Sequence, residues 1–192
     1  MFPLAQQRIV RFTACSAALV VVLASGCGYQ LVGRAEGRDL TVSVVTFDND
    51  SVEPGVELTV SRALRQEFLR RAAPRLVSNP GSADLVIRGR VLPLDTRANS
   101  FDTVALALEY RVELALDLDV TLADGSSIPL EAGALKESEL YLASADPEAS
   151  RKNRDEALRR IADILAGRVH DAIGLQLADR ARDLEESEKG AS

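Results

Sequence analysis

Apolar residues occupy every even position over residues 104–122: Val104, Leu106, Leu108, Tyr110, Val112, Leu114, Leu116, Leu118, Val120 and Leu122. The odd positions between them hold Ala105, Ala107, Glu109, Arg111, Glu113, Ala115, Asp117, Asp119 and Thr121. A strand sends successive side chains to opposite faces, so this period of two predicts one long strand, apolar on one face and polar on the other. A chain built around it must form a sheet with one face covered. At about 3.3 Å per residue the run would extend roughly 60 Å, so a bend or bulge is expected.

The flanking segments supply partners and cover. Asp124-Gly125 signals a hairpin. Cross-strand partners share a face, so a two-residue turn, which sets Leu122 opposite Ser127 and Leu118 opposite Glu131, is disfavoured. A three- to five-residue loop, which pairs Leu122 with Ile128, Val120 with Leu130, Leu118 with Ala132 and Tyr110 with Leu140, is expected. Upstream, the β-branched run 40–47 and the segment 84–92 read as strands, separated by the turn clusters 48–51 and 79–82. Pro54-Gly55 opens a helix over 56–73, whose stripe is Val56, Val60, Ala63, Leu64 and Phe68; Pro74 ends it. After a polar linker (143–152), Asn153 and Glu156 have the spacing of a capping box. They open a second helix over 154–177 with Leu158, Ile161, Leu165, Val169, Ala172, Ile173 and Leu177 on one face. Residues 179–192 are charge-rich and expected to be a disordered tail. The predicted fold is α+β: a two-layer sandwich, two helices packed on one face of a mixed, about four-stranded sheet.

The first thirty residues carry a different signal. Arg8 and Arg11 precede an apolar run over 12–23, then Ala24-Ser25-Gly26 and Cys27, with no acid before Cys27. That is a basic n-region, a short h-region and a small-residue cleavage site. Cys27 directly after the small residues resembles the lipobox of bacterial lipoproteins, with Ala24 where Leu is usual. Residues 1–26 are expected to be removed, leaving a diacylated Cys27 and a Gly-containing tether over 27–38 ahead of a domain at 39–178. Cys15 would leave with the leader, and acylation would remove the one thiol left in an oxidising compartment. Gly28, rather than Asp, after the cysteine favours sorting to the outer membrane.

Charge and residue inventory exclude several classes. The chain has 192 residues, 23 Lys+Arg against 29 Asp+Glu, and a net charge of −6, which removal of Arg8 and Arg11 would take to −8. This argues against nucleic acid as a partner, since phosphate neutralisation needs a basic surface. His170 is the single histidine, so there is no multi-histidine metal site and little choice of general base. No catalytic residue, metal site or cofactor is expected. Asp163 and Asp171 lie near His170 in sequence, but no Ser or Cys stands where a nucleophile should; a partly exposed helical histidine is the reading. Glu109, Glu113, Asp117 and Asp119 form a flat ladder on one strand face, whereas calcium sites draw their ligands from a tight loop.

Several short runs, in order, resemble the LPS-assembly lipoprotein (LptE) family. They are Cys27-Gly28-Tyr29-Gln30-Leu31, Phe47-Asp48-Asn49-Asp50-Ser51 and Glu53-Pro54-Gly55-Val56-Glu57. Leu58-Thr59, Ala63-Leu64, Glu67-Phe68, Ala83-Asp84, Glu109-Tyr110-Arg111 and Ile161-Ala162 follow. The resemblance covers residues 27–178; Thr46 departs from it, where many relatives have Pro. It implies a non-catalytic, lipid-anchored protein of the outer membrane facing the periplasm, two helices over a four-stranded sheet. The implied partners are an LptD-like outer-membrane β-barrel, which it plugs and helps assemble, and lipopolysaccharide, which it helps insert into the outer leaflet. Lipopolysaccharide carries phosphates, which Arg binds bidentately. Arg88, Arg90, Arg111 and Lys136 are the candidate contacts.

Overall fold

The alternating run forms one unbroken strand of 16 residues, and the rest of the sheet is assembled along its two edges. The computed structural model describes residues 40–71, 74–101, 107–131 and 135–190. Cys27, the expected leader and tether, and Val104, Leu106 and Ala132 lie outside them. In chain order the strands are β1 (Thr41–Val44), β2 (Asp48–Asn49), β3 (Arg75–Leu76), β4 (Leu85–Val91), β5 (Asp95–Phe101), β6 (Ala107–Leu122) and β7 (Lys136–Leu142). The helices are α1 (Val56–Arg71), between β2 and β3, and α2 (Pro147–Gly190), after β7.

β4 and β5 run antiparallel to β6 along one edge, from Leu85 opposite Leu122 to Phe101 opposite Ala107. They are one path broken at Pro93, which has no N–H to give a ladder. Leu92 N donates to Ala115 O at 2.9 Å, then Asp95 stands opposite Glu113, so the β4–β5 side carries one extra residue. The discontinuity expected in the long strand is thus found in its neighbour. β1 and β2 likewise form a broken path, parallel to β4, and β3 adds two residues parallel to β1. β7 pairs with the other edge of β6. Four chain passes side by side, with β3 at the margin, match the about four strands expected; β5 was not anticipated, because Asp95-Thr96-Arg97-Ala98-Asn99-Ser100 has no apolar alternation.

The even face of β6 is the core face. Val112, Leu114, Leu116 and Val120 are buried, Leu118 and Leu122 pack against them half-buried, and Arg111, Asp117 and Asp119 are exposed on the other side. Both helices lie over the core face. The α1 stripe is buried as predicted, and Leu158, Ile161, Leu165, Val169 and Ile173 of α2 close the core over Val42, Ile87 and Leu114. Each such fully buried side chain contributes about 1.5–3 kcal/mol. α1 begins where Gly55 adopts φ +81°, a conformation that costs glycine little.

Three expectations are corrected. The hairpin loop is Ala123-Asp124-Gly125, with Gly125 at φ +84°, and sets Val120 rather than Leu122 opposite Ile128. Further along, Tyr110 stands opposite Tyr141, not Leu140. This turns Leu140 and Leu142 to the outer face and brings Glu137 and Glu139 under α2. Ion pairs with Arg168 and Arg160 meet those two acids there, so the flipped strand is stable. Second, α2 starts at Pro147, not Arg154. Asp146 caps it, its carboxylate accepting from Glu148 N at 3.0 Å, and Pro at the first helical position loses no bond. Asn153 sits inside the helix and donates to Leu142 O at 3.0 Å. Third, the expected tail is helical as far as Gly190, pinned at Arg180, which donates to Ser126 Oγ (3.0 Å) and Ser127 O (2.5 Å).

Candidate functional site

The sheet face away from the helices carries every candidate cation named above. Arg88 and Arg90 stand on β4 directly across from Asp119 and Asp117, and Arg111 and Lys136 lie further along on β6 and β7. The period of two fixes this: the residues that alternate with the core positions must emerge together on the opposite side. The structure brings the four onto one surface, in two groups along β6.

Their surroundings differ. Arg90 Nε lies 3.2 Å from Asp117 Oδ2, and its Nη1 is 3.8 Å from Asp50 Oδ2. Lys136 Nζ lies 2.7 Å from Glu113 Oε1. Among the described residues Arg111 meets only a hydroxyl, donating to Ser138 Oγ at 3.3 Å. Arg88 is exposed and forms no hydrogen bond or ion pair among the described residues. Asp95 and Arg97 of β5 form a further exposed pair on the same face, missed in the sequence because β5 was missed. Exposed pairs of this kind are worth about 0–1 kcal/mol each, so the face is cheap to display and cheap to re-pair. Of the four candidates, Arg88 and Arg111 are paired with no carboxylate among the described residues.

The acidic ladder resolves into these same pairings. Glu113 and Asp117 hold Lys136 and Arg90, Glu109 accepts from Asn99 (3.2 Å) and Ser100 (3.4 Å), and Asp119 accepts from Thr121 Oγ1 at 3.2 Å. Among the described residues no cluster of three or more His, Cys, Asp or Glu could hold a metal ion. No described helix is long and apolar enough to cross a membrane.

On the helix layer, His170 is a packing group. Its side chain is 12% exposed, its ring lies 5.0 Å from that of Phe68, and Nδ1 is 3.6 Å from Asp171 Oδ1. Beside it, Glu67 is buried and accepts from Arg70 (2.7 Å) and Arg71 (2.5 Å). Burial raises the Glu67 pKa, but the two arginines more than offset this and hold it below the ordinary carboxylate range.

At the start of α1, Asn49 is saturated. Its Oδ1 accepts from Ser51 N (2.9 Å) and Ser51 Oγ (2.7 Å), and its Nδ2 donates to Glu53 O and Glu57 Oε2, both at 2.8 Å. Glu53 in turn pairs with Arg154 of α2 at 2.6 Å. The short runs noted at 47–51 and 53–57 are therefore one brace that fixes the turn into α1.

Comparison with known proteins agrees with this architecture. The family model described as "LptE: Lipopolysaccharide-assembly" matches residues 40–173. No curated protein matches the chain. Among solved structures, rare lipoprotein B from Shewanella oneidensis aligns at 14% identity and TM-score 0.51, over 76% of this chain and 98% of that one. Lipoprotein B from Nitrosomonas europaea aligns at 13% identity and TM-score 0.49, over 83% and 97%. At 14% identity the likeness to the Shewanella protein is one of fold.

Proposed function

The chain belongs to the lipopolysaccharide-assembly LptE family, and from that premise we propose that it is an envelope lipoprotein of the outer membrane. On this reading Cys27 carries the lipid, and the domain faces the periplasm and seats as a plug in an LptD-like β-barrel. There it assists the barrel's assembly and helps insert lipopolysaccharide into the outer leaflet. Its role is that of an assembly factor without a reaction of its own.

The observation that carries the reading is the outer sheet face. It is a surface of exposed charges, in which Arg90, Arg97 and Lys136 are paired and Arg88 and Arg111 are not, left uncovered among the described residues. The lumens of large outer-membrane barrels are polar, and a charge-mosaic surface can exchange its weak internal pairs for pairs across an interface. Phosphate groups of lipopolysaccharide would meet Arg88 and Arg111 first. Arg90 and Lys136, though proposed with them, must first leave Asp117 and Glu113.

Purification of the intact lipoprotein from detergent-solubilised membranes tests the proposal. One large barrel should accompany it in about equimolar amount, and depletion should lower assembled barrel and surface lipopolysaccharide together. Unchanged barrel and lipopolysaccharide after depletion would overturn it in favour of another envelope adaptor role.

A further inference from the structure

The backbone at the margins of the sheet is treated unequally. Along β6, Leu122 N bonds Ser126 O, and Ile128 N bonds Val120 O. Even residues of β6 therefore bond toward β7 and odd ones toward β4 and β5, as antiparallel alternation requires. On β7 and the strand leading to it, the outward carbonyls include those of Ser127, Lys136 and Leu142. Side chains of α2 cap all three: Arg180, Arg168 and Asn153. On the β1 side, Arg75 N and Val77 N bond the carbonyls of Leu40 and Val42, and Arg65 caps Val44 O at 2.9 Å where β3 has ended.

β5 has no such cover. β1 and β2 fill the outer edge of β4 only as far as Asp50, which donates to Val91 O. Asp95 and Arg97, opposite Glu113 and Arg111, bond inward, so Thr96 and Ala98 direct their N–H and C=O groups outward. No described side chain or strand meets them. Residues 96–99 are also exposed on both faces of the sheet.

Resting on the barrel partnership proposed above, we propose that this open edge of β5 receives an extended segment of the barrel's chain as an added strand. Outward N–H and C=O groups on alternate residues match a polypeptide rather than a lipid headgroup. The exposed side chains are Thr96, Arg97, Ala98 and Asn99, polar or small, which suits an added strand flanked by the polar wall of a lumen. The register shift after Ala98 and the Asp95–Arg97 pair limit the open run. Such features blunt unspecific edge pairing while leaving room for one short, specific strand.

The full lipoprotein, co-expressed with its barrel, provides the test. Thr96→Pro and Ala98→Pro each delete an outward donor and leave the inward bonds of Asp95 and Arg97 in place. Each variant should melt within a few degrees of the parent yet recover at least tenfold less barrel; Thr96→Ala should recover it fully. Should the proline variants unfold, p-benzoylphenylalanine placed at position 96 decides the matter, by crosslinking to the barrel chain. Folded proline variants that keep barrel at the parent level overturn the inference alone. Crosslinks solely to a second copy of this chain overturn it in favour of self-association. A parent chain that recovers no barrel overturns the partner reading and this inference with it.

Discussion

Asp171 of α2 accepts a hydrogen bond from Arg71, the last residue of α1, and the same guanidinium holds Glu67 through Nε at 2.5 Å. The two helices are thus joined by a chain of charges running Glu67–Arg71–Asp171. Gly167 stands opposite, where a Cβ would come 3.9 Å from both Arg71 and Glu67. The link lies beside the ring contact of Phe68 with His170.

Glu67 should give stability a definite pH dependence. Its folded pKa lies below its unfolded value, so its contribution is fully present above the ordinary carboxylate range, near pH 4.3. It is lost as pH falls through the lower, folded value. Glu67→Gln should cost about 2 kcal/mol at neutral pH, as for a hydrogen bond to a charged group. The deficit should shrink in acid. Urea melts of both proteins from pH 7 to pH 3 would show it; a pH-independent deficit would refute the assignment.

Gly89 is where β4 approaches β6 too closely for a side chain. A Cβ there would lie 2.4 Å from Leu118 Cδ2 and 2.6 Å from Asp117 O. Backbone cannot yield as a side chain can, so Gly89→Ala should destabilise by about 1–3 kcal/mol, the cost of overpacking. Thermal denaturation measures this directly.

The two faces of β6 should respond oppositely to substitution. Leu114 is fully buried, and Leu114→Asp should cost several kcal/mol by burying a charge without a partner. Asp117 pairs with Arg90 on the exposed face, and Asp117→Ala should stay within about 0.5 kcal/mol. Equal losses from the two changes would contradict the face assignment.

Arg88 and Arg90 should separate binding from structure. Arg88→Glu replaces an uncommitted cation and should weaken retention of lipopolysaccharide with only a small drop in melting temperature, since it faces the single acid Asp119. Arg90→Glu sets a third acid beside Asp50 and Asp117, and like charges in contact repel. It should therefore lower the melting temperature as well. Pull-down of labelled lipopolysaccharide alongside calorimetry distinguishes the two.

Cys27 should be the acylated mature N-terminus, because a basic n-region, a short apolar run and small residues precede it. Intact-mass and peptide spectra of membrane-extracted protein check this. A free thiol, or a start elsewhere, would rule it out.

Where one periodicity governed a segment, the residues announced their structure. The even face of β6, the α1 stripe and the outward Arg88 and Arg90 all follow from spacing alone. Legibility failed where a polar contact outweighed apolar pattern. Leu140 reads as a core residue, but the ion pairs of Glu137 and Glu139 with α2, together with the Tyr110–Tyr141 stack, hold β7 the other way round. β5 was invisible because an edge strand with both faces exposed, as residues 96–99 are among the described residues, needs no apolar side chains. The cap at Asp146 was hidden by a better-looking box at Asn153. Of the candidate cations, the shared face of Arg88 and Arg90 was legible but not the pairing, since which acid meets Arg90 or Lys136 depends on register.

α2 returns past the Ala123-Asp124-Gly125 hairpin, held there by Arg180, and β1 begins beside the same hairpin, Thr41 bonding Asp84, whose carbonyl takes Ala123 N. The first described residues, at the start of β1, and Arg180 in the second half of α2 therefore lie beside one hairpin. The braced turn at Asn49 and the start of α2 are tied to each other instead, through Glu53 and Arg154. An insertion in the 51–54 turn would therefore disturb the link between α1 and α2, whereas one in the Ala123-Asp124-Gly125 hairpin would disturb the seat of Arg180.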